Sequence, residues 1–539
     1  VRRVKNGESF DTAPVVVGVH PGRWEKAWES YRNWLYAVTN PRSVNSPRWW
    51  REVFISKAIH EGNYWKDGKF DWSDTVQSFD RNTYFDINHW MNNRGDYVIR
   101  PDQGGAAAWK AELAKLRQQG IHSAFYLEAC CVNPLSDVGM AHPDWGVMSQ
   151  GKRFQENSEN AAASPESREF NMCPGSAWKD YLAETAARVL RESNMDAVYL
   201  DSMALRFWMC EDTKHDHAFG EGWRRNVGEA LQRVNQEVDR VKRNTPIYCE
   251  FWSSDINSQF MNGSYSPGVA VAQGTTAKGF DFCRTGTNLF RFYIPQFKII
   301  EICDMNEKNI GMALFNGNGL HEFFTNQSVW PYLNECARIW EQNLGAFTSD
   351  RPEALLETGV DPLFMNRFPD GSKTIYTLWN GSTAAIADVP IHLKPQANHR
   401  YVELFSHREF RPQGDELLVD VPFERVAVFA EMPQTLKLEK GDSGEYIALY
   451  DGNFQEPALI VYARIDDRWQ SRTVPFAKSE IPVNNNTVYD PNKVGGITSS
   501  KTLRINPTIL FDGQPIADLS IGLLDGNILV DEVPCGSLK

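Results

Sequence analysis

The segment N-M-D-A-V-Y-L-D-S-M, residues 194–203, decides the fold prediction for this chain. An amphipathic helix is predicted just before it, over residues 177–192. Four apolar residues, 197–200, then form a short run that ends at Asp201. A short apolar run entered from a helix is typical of a buried strand in a parallel sheet. Because α/β enzymes place their chemistry at the carboxyl ends of such strands, we predict that Asp201 is a catalytic carboxylate. The structural alternative is that Asp201 caps the next loop or pairs with Arg206.

The same strand-and-helix pattern recurs along the first part of the chain. Strands are predicted at residues 53–60, 84–90, 121–127 and 246–251, and helices at 105–120, 222–241 and 334–344. Further apolar runs follow at 279–294, 297–302 and 310–315. Roughly seven or eight such units favour a closed (β/α)8 barrel of the TIM type within the α/β class. An open doubly wound sheet is the competing fold, but the GxGxxG and GxxxxGK[ST] phosphate loops are absent.

The remaining sequence predicts C-terminal all-β sandwich modules. We assign residues 1–50 to a linker strand and helix, 51–350 to the barrel, 351–433 to an antiparallel β-sandwich, and 434–539 to a second all-β module. Short alternating strands separated by turn signals such as P-D-G-S at residues 369–372 carry this assignment. Because the opening helix has no domain before it, we expect the protein to have a further N-terminal portion.

Composition narrows the class of partner. The chain has 539 residues, a formal net charge of −13, 18 Trp, 18 Tyr and 30 Phe. Aromatic side chains fit the flat apolar faces of sugars, whereas net negative charge disfavours nucleic acid and anionic membranes. No apolar run of about 18 residues is present, so no membrane span is predicted. The nine cysteines lean slightly towards a reducing compartment or an anaerobe's exported protein, and an extracellular or periplasmic location is favoured.

A second acid ends the strand that follows Asp201. Glu250 lies at the end of the predicted strand at 246–251, and one loop, helix and strand separate the two acids. Glycoside cleavage commonly uses two carboxyl groups on opposite sides of the scissile bond. Ser202 favours an ionised Asp201 as the nucleophile, whereas apolar neighbours raise a carboxyl pKa and favour Glu250 as the general acid/base. The structural alternative is a buried Glu250 paired with an arginine, Arg284 or Arg291.

These residues resemble a known group of enzymes. The motif D-A-V-Y-L-D, the strand P-I-Y-C-E and the C-terminal β-sandwich resemble the retaining (β/α)8-barrel α-glycosidases, a broad group with α-galactosidases, α-glucosidases and endo-α-N-acetylgalactosaminidases. The resemblance implies that Asp201, ending the fourth strand, is the nucleophile. The group's acid follows either the fifth strand, at Glu250, or the sixth, near Asp281 or Asp304. Many members have Gly where this chain has Ala197, which is a departure from the motif.

The resulting hypothesis is a glycoside hydrolase that cleaves α-linked sugars of an oligosaccharide, polysaccharide or glycoconjugate with retention. A non-catalytic carbohydrate-binding barrel is the alternative from another class. Polar and aromatic residues at predicted strand ends are the candidates for substrate binding, each with a structural role as its alternative. These residues are Glu128, Asp86, Trp90, Trp252, Asp255 and His321.

No cofactor and no metal are predicted for the catalytic site. His215 and His217 have a metal-ligand spacing, and a metal-dependent hydrolase using this pair is a further alternative. Because they lie in the charged stretch C-E-D-T-K-H-D-H, we interpret them as part of a solvated loop. Asp490 and the asparagines at 484–486 offer ligands for a structural calcium ion, but turns explain them equally well. The sequence makes no prediction of oligomeric state.

Overall fold

The computed structural model describes residues 6–7, 9, 15–73, 75, 83–91, 93–153, 155–156, 169–204, 208–219, 222–266, 286–322, 327–441, 444–476, 481–483, 487–489, 497–499 and 501–537. The chain divides into two compact units. Unit 1 comprises residues 1–271, 288–305 and 318–327, and unit 2 comprises 272–287, 306–317 and 328–539.

Unit 1 contains a closed barrel of eight parallel strands in chain order. The barrel closes where the last strand pairs with the first, through the register Ser56↔His321. This confirms the predicted (β/α)8 class and excludes the open doubly wound sheet. The strands are β1 Ile55–Ile59, β2 Thr83–Ile87, β3 His122–Glu128, β4 Ala197–Asp201, β5 Ile247–Glu250, β6 Gly263–Ser266, β7 Lys298–Ile302 and β8 Gly319–Glu322.

The described residues of unit 1 include four long helices: α1 Glu25–Val38, α2 Gly105–Gln118, α3 Trp178–Ser193 and α4 Trp223–Val241. Helices α2, α3 and α4 correspond to the helices predicted at residues 105–120, 177–192 and 222–241, and each buries its apolar side chains. Asn194 is the C-cap of helix α3. Its backbone adopts a left-handed φ of 56°, and its N–H donates to the carbonyl of Leu190. That cap turns the chain directly into the entry of β4, where Asp196 accepts a hydrogen bond from the backbone of Ser123 in β3.

Shorter elements also occur among the residues that the structure describes. These short helices and 3-10 turns are Arg42–Asn45, Arg48–Arg51, Glu61–Tyr64, Pro101–Gln103, Asp137–Ala141, Pro143–Trp145, Asn257–Phe260, Phe290–Tyr293, Gln327–Val329, Leu344–Phe347 and Pro507–Leu510. Strands outside the barrel in unit 1 are Trp65–Lys66, Lys69–Phe70, Cys131–Val132, Met148–Ser149, Lys152–Arg153, Gln155–Glu156 and Glu169–Asn171.

Strand β6 was not among the predicted strands. Its sequence, G-S-Y-S, contains no apolar run, yet all four residues are buried. A β-carbon at Gly263 would lie 2.4 Å from the carbonyl oxygen of Lys298 in β7 and 3.0 Å from the Trp50 ring. Close approach of a neighbouring backbone therefore explains a glycine at this position. The predicted run at 310–315 lies instead in a helix, α5 Glu307–Asn316.

Aromatic rings fill the barrel interior. Tyr84, Tyr199, Tyr248 and Tyr265 pack there with Trp50, which is fully buried. The Trp50 ring centroid lies 5.6 Å from that of Tyr84 and 4.7 Å from that of Tyr248, and its indole N–H donates to the carbonyl of Asn262. The barrel core is therefore a packed stack of rings with a filled interior.

Replacing Trp50 with alanine is expected to destabilise the barrel by about 3–5 kcal/mol, because the cavity left among tyrosine rings cannot collapse. The measurement is urea unfolding followed by tryptophan fluorescence and circular dichroism. Trp34→Ala is the matched control, since Trp34 is 50% exposed and its removal should cost less than about 1 kcal/mol. Equal losses in the two variants would contradict this assignment of the barrel core.

Unit 2 contains the antiparallel sheets that the sequence predicts after the barrel. It also contains α5 and the helix α6 Trp330–Gln342. The next strands are β9 Glu353–Leu356, β10 Leu363–Asp370, β11 Lys373–Asn380, β12 Ile386–His392, β13 His399–Glu403, β14 Arg408–Phe410, β15 Glu416–Val421 and β16 Val426–Pro433. Six of them form one sheet in the order β9-β10-β11-β16-β13-β14, and β12 pairs with β15.

The last part of the chain has its own buried core and two four-stranded sheets. Its strands are β17 Leu436–Lys440, β18 Tyr446–Tyr450, β19 Pro457–Ile465, β20 Arg468–Pro475, β21 Ile481–Val483, β22 Thr487–Tyr489, β23 Ile497–Ser499, β24 Thr502–Ile505, β25 Asp518–Asp525 and β26 Ile528–Gly536. The sheet orders are β17-β18-β24-β23 and β20-β19-β25-β26, with β21 paired to β22. The calcium candidates at 484–486 and Asp490 lie outside the described residues. Within the described part of the chain, no helix combines the length and apolarity needed to cross a membrane.

Candidate active site at the carboxyl ends of β3, β4 and β5

Three acids end three neighbouring strands of the barrel. Glu128 ends β3, Asp201 ends β4 and Glu250 ends β5. Asp201 is the register partner of Glu128. Leu200 is the partner of Cys249, so Asp201 and Glu250 follow one position later in adjacent strands. The register therefore places the three acids at equivalent ends of adjacent strands.

Asp201 and Glu250 are both partly exposed, although the residues that precede them are fully buried. Neither carboxyl group is sealed inside the core. Burial and the charges of Asp201 and Glu250, with a smaller effect of Asp86, raise the pKa of the Tyr199 hydroxyl. Both acids therefore lie near the same phenol.

Asp201 is held by three hydroxyl groups. Tyr126 donates to Oδ2 at 2.6 Å, Tyr199 donates to Oδ1 at 2.6 Å, and Ser202 donates to Oδ2 at 3.3 Å. Short hydrogen bonds from hydroxyl groups fix the orientation of a carboxylate. The contact of Ser202 with Asp201 is thus present beside those of two tyrosines that the sequence analysis did not identify.

Glu128 is the buried partner of this carboxylate. It is 2% exposed, and burial together with the charge of Asp201 raises its pKa to about 8. The Tyr126 hydroxyl lies 2.9 Å from Oε2 of Glu128 as well as 2.6 Å from Asp201. The Tyr126 hydroxyl is therefore within donating distance of both carboxyl groups, with the shorter hydrogen bond to Asp201.

This arrangement predicts a pH dependence of stability. In the unfolded chain Glu128 titrates near its ordinary pKa of 4.5, and in the folded chain near 8. Between these values the native state binds more protons than the unfolded state. The contribution of Glu128 is therefore fully present below about pH 4.5 and is lost as pH rises to about 8, at up to about 1.4 kcal/mol per pH unit.

We expect Glu128→Gln to flatten this decline, because glutamine keeps the shape of the side chain without a titrating proton. The measurement is urea unfolding of the barrel between about pH 5 and 8, with the exposed Glu184→Gln on α3 as the control. If the free energy of unfolding of the wild type and of Glu128→Gln fell in parallel as pH rises, Glu128 would not carry the titrating proton.

Arg94 supplies positive charge beside the acids. Its Nη1 lies 4.0 Å from Oε2 of Glu128 and pairs closely with Glu169, and its guanidinium carbon lies 5.8 Å from the Tyr126 ring centroid. The side chain is 40% exposed, so it reaches the surface of the site. Arg94 lies in the predicted loop after β2, where the sequence gives no signal of this contact.

The backbone turns sharply after both rim acids. Ser202, which follows Asp201, has a φ of 61°, and Phe251, which follows Glu250, has a φ of 64°. Left-handed backbone is costly for residues with a β-carbon, and such residues cluster at functional sites. The two strands that carry the candidate acids thus end in the same strained turn.

Trp252 and Asp255 follow Glu250, and their substrate-binding roles stay predictions. Trp252 is partly exposed and packs on Phe251 and Phe290, with centroid separations of 4.9 and 4.5 Å. Asp255 accepts hydrogen bonds from Tyr31 of α1 at 2.7 Å and from Tyr293 at 3.1 Å. These contacts give Asp255 a structural function as an anchor for the opening helix.

Three further residues predicted to bind substrate are buried, and their binding roles stay predictions. Trp90 is fully buried, its ring stacks 4.8 Å from Phe125, and its indole N–H donates to the Tyr126 carbonyl. The sequence correctly places it after β2, but its ring faces the packed core.

Asp86 and His321 lie in the barrel interior, 2% and 4% exposed. Tyr248 and Tyr265 donate to Asp86, and burial raises its pKa well above the ordinary value. His321 lies 3.0 Å from the Ser56 hydroxyl, and burial lowers its pKa to about 3. Both are corrections to the predicted rim positions. The residues form a buried polar network below the rim.

Asp281 and Asp304 are the alternatives to Glu250 that were predicted near the end of the sixth strand. Asp304 instead follows the seventh strand, β7, and is exposed. Asp281 lies outside the described residues, as do Arg206 and Arg284, the structural partners considered for Asp201 and Glu250.

His215 and His217 lie away from the strand ends, in the described segment 208–219. Their interpretation as a solvated loop is wrong, because His217 is 9% exposed and the His215 side chain is 6% exposed. Both pack against cysteines.

Comparisons with known proteins bear on the fold. A family model described as a domain of unknown function (DUF6259) matches residues 11–263, a range that includes β1 to β5 and both candidate acids. No curated protein matches the chain. Among solved structures, an α-amylase from Anoxybacillus, described as a new glycosyl hydrolase subclass, has a TM-score of 0.52 at 12% identity and covers 72% of this chain and 99% of its own.

Two further structures match over similar lengths. A Geobacillus thermoleovorans α-amylase complexed with acarbose has a TM-score of 0.50 at 13% identity, covering 72% of this chain and 99% of its own. A Nostoc punctiforme debranching enzyme has a TM-score of 0.51 at 11% identity, covering 71% and 99%. The chain shares the barrel fold of these enzymes.

Proposed function

We propose that this protein is a retaining glycoside hydrolase that acts on α-linked sugars, with Asp201 as the nucleophile and Glu250 as the general acid/base. The observation that carries the proposal is the pair of partly exposed acids at equivalent ends of adjacent barrel strands. The descriptions of the structural neighbours as α-amylases and a debranching enzyme support the same class of substrate.

Retention is the part of the proposal that the resemblance implies. Retaining glycosidases hold their two carboxyl groups about 5–5.5 Å apart, whereas inverting enzymes need about 6.5–9.5 Å to admit a water molecule between acid and base. Side chains on neighbouring strands, whose backbones lie about 4.8 Å apart, can reach the shorter separation.

The proposed reaction has two steps. An Asp201 oxygen attacks the anomeric carbon while Glu250 protonates the leaving glycosidic oxygen, which gives a covalent glycosyl ester. Glu250, now ionised, takes a proton from water as that water attacks the anomeric carbon and releases Asp201. Tyr126 and Tyr199 hold Asp201 in position, and protonated Glu128 avoids a third negative charge beside it.

A screen of aryl α- and β-glycosides tests the function, and proton NMR of the first product tests the stereochemistry. The proposal predicts release of the aryl group from an α-glycoside and a product that is initially the α-anomer. Binding of sugar without turnover across the screen would favour the carbohydrate-binding alternative. A β-anomer as the first product from an α-glycoside would contradict retention.

A further inference from the structure

Four potential metal ligands meet in unit 1, outside the proposed catalytic site. Sγ of Cys173 lies 3.3 Å from Nε2 of His217, and Sγ of Cys210 lies 3.4 Å from Nδ1 of His215. All four ligand atoms lie within 4.8 Å of one another. Cys173 comes from the segment before α3, whereas the other three come from the segment after β4.

These separations match a tetrahedral zinc ion. Zinc binds sulfur at about 2.3 Å and imidazole nitrogen at about 2.0–2.1 Å, so tetrahedral angles put sulfur and nitrogen ligands about 3.6 Å apart. A Cys2His2 set is a known structural zinc composition. The two sulfur–nitrogen separations of 3.3 and 3.4 Å fall close to that value, and all four ligand atoms lie within 4.8 Å of one another.

The remaining nitrogen of each histidine is already occupied. Nε2 of His215 lies 2.8 Å from the carbonyl oxygen of Asp144, and Nδ1 of His217 lies 2.9 Å from that of Ala218. A hydrogen bond from the distal ring nitrogen to a carbonyl fixes the tautomer that points a lone pair at the metal. The two rings are therefore both oriented with a free lone pair towards the cysteines.

The surroundings fit a buried, neutralised centre. Cys173 is fully buried and Cys210 is 3% exposed. The carboxylate of Asp212 lies 3.7 Å from Nε2 of His215 and accepts a hydrogen bond from Arg153 at 2.9 Å. Two thiolates balance the charge of Zn²⁺.

We propose that Cys173, Cys210, His215 and His217 bind one Zn²⁺ ion in a closed, structural site. Binding releases the two thiol protons and leaves no open coordination position for water, which is the mark of structural and not catalytic zinc. The ion would tie the segment before α3 to the segment that follows Asp201. Metal-dependent hydrolysis through His215 and His217 is disfavoured by this ligand set.

The test is metal analysis of the whole protein, purified under reducing conditions without added metal and then titrated with Zn²⁺. Elemental mass spectrometry should find about one zinc ion per chain. Cys173→Ser and Cys210→Ser should each reduce zinc retention at least about tenfold after dialysis against a chelator. Cys336→Ser is the control, because Cys336 is a buried cysteine of unit 2 with no part in the cluster.

Cobalt substitution keeps the proposal testable if the cysteine variants do not fold. Wild-type protein loaded with Co²⁺ should show a thiolate-to-cobalt charge-transfer band and the intense d–d bands of tetrahedral cobalt. A wild-type protein that binds neither ion would overturn the site. A Cys173–Cys210 disulfide that persists in protein purified under reducing conditions would also overturn the site. Full zinc retention by both cysteine variants would overturn it as well.

Discussion

Asp201→Asn is expected to lower kcat on a cleavable α-glycoside by roughly 10⁴-fold or more, because an amide cannot form the glycosyl ester. The substitution keeps the size of the side chain, and its carbonyl oxygen still accepts hydrogen bonds from Tyr126 or Tyr199. Folding should survive, since Asp201 lies at the partly exposed end of β4. The measurement combines initial rates with circular dichroism and thermal unfolding of the same preparation.

Asp304→Asn is the matched control for this variant. Asp304 also follows a barrel strand, but it is exposed and separated from the three rim acids in the strand order. We expect its rate to stay within about twofold of the wild type. If Asp201→Asn retained near-normal turnover, Asp201 would not be the nucleophile. If Asp304→Asn lost as much activity as Asp201→Asn, Asp304 and not Glu250 would be the second carboxyl group.

Glu250→Gln is expected to lower kcat by about 10²–10⁴-fold on substrates with poor leaving groups, because glutamine cannot protonate the departing oxygen. Substrates whose aryl leaving group departs without protonation should be affected much less in the first step. The variant should therefore accumulate the glycosyl enzyme, and azide should accelerate turnover by attacking the ester without a general base. The measurement is a leaving-group series for the wild type and Glu250→Gln.

The leaving-group series also distinguishes the positions for the acid. Asp281→Asn and Asp304→Asn should leave the dependence on leaving group unchanged. An Asp281 variant that behaves as described for Glu250→Gln would move the acid to the segment after the sixth strand. A uniform loss across all leaving groups in Glu250→Gln would show a structural role for Glu250.

Much of the fold could be predicted because apolar runs and helix periodicity survive in the sequence. The entry into β4 is an example, with α3, a capping Asn194 and four buried residues before Asp201. Strand β6 could not be predicted, because Gly263 and its serine neighbours form no apolar run. Their burial comes from the neighbouring backbone of β7, which is a property of the closed barrel.

The candidate site was predictable in part for a similar reason. An acid at the end of a strand can be recognised from sequence, and both Asp201 and Glu250 were found in this way. The depth of a residue within the barrel depends on register, which the sequence does not give. Asp86 and His321 were therefore assigned to the rim although they lie below it.

Register also explains the residues that the sequence did not identify. Tyr199 lies two positions before Asp201 on the same face of β4, whereas Tyr126 reaches Asp201 only because β3 pairs with β4. Likewise, His215 and His217 were recognised as a pair, but Cys173 joins them from a distant segment.

Trapping the covalent intermediate tests the central claim most directly. The wild-type protein is incubated with an activated 2-deoxy-2-fluoro α-glycoside of a sugar that it cleaves, digested, and analysed by mass spectrometry. We predict one added glycosyl group, attached to Asp201. A glycosyl group on another carboxylate, or an active enzyme from which the probe releases its leaving group without any covalent adduct, would contradict the account.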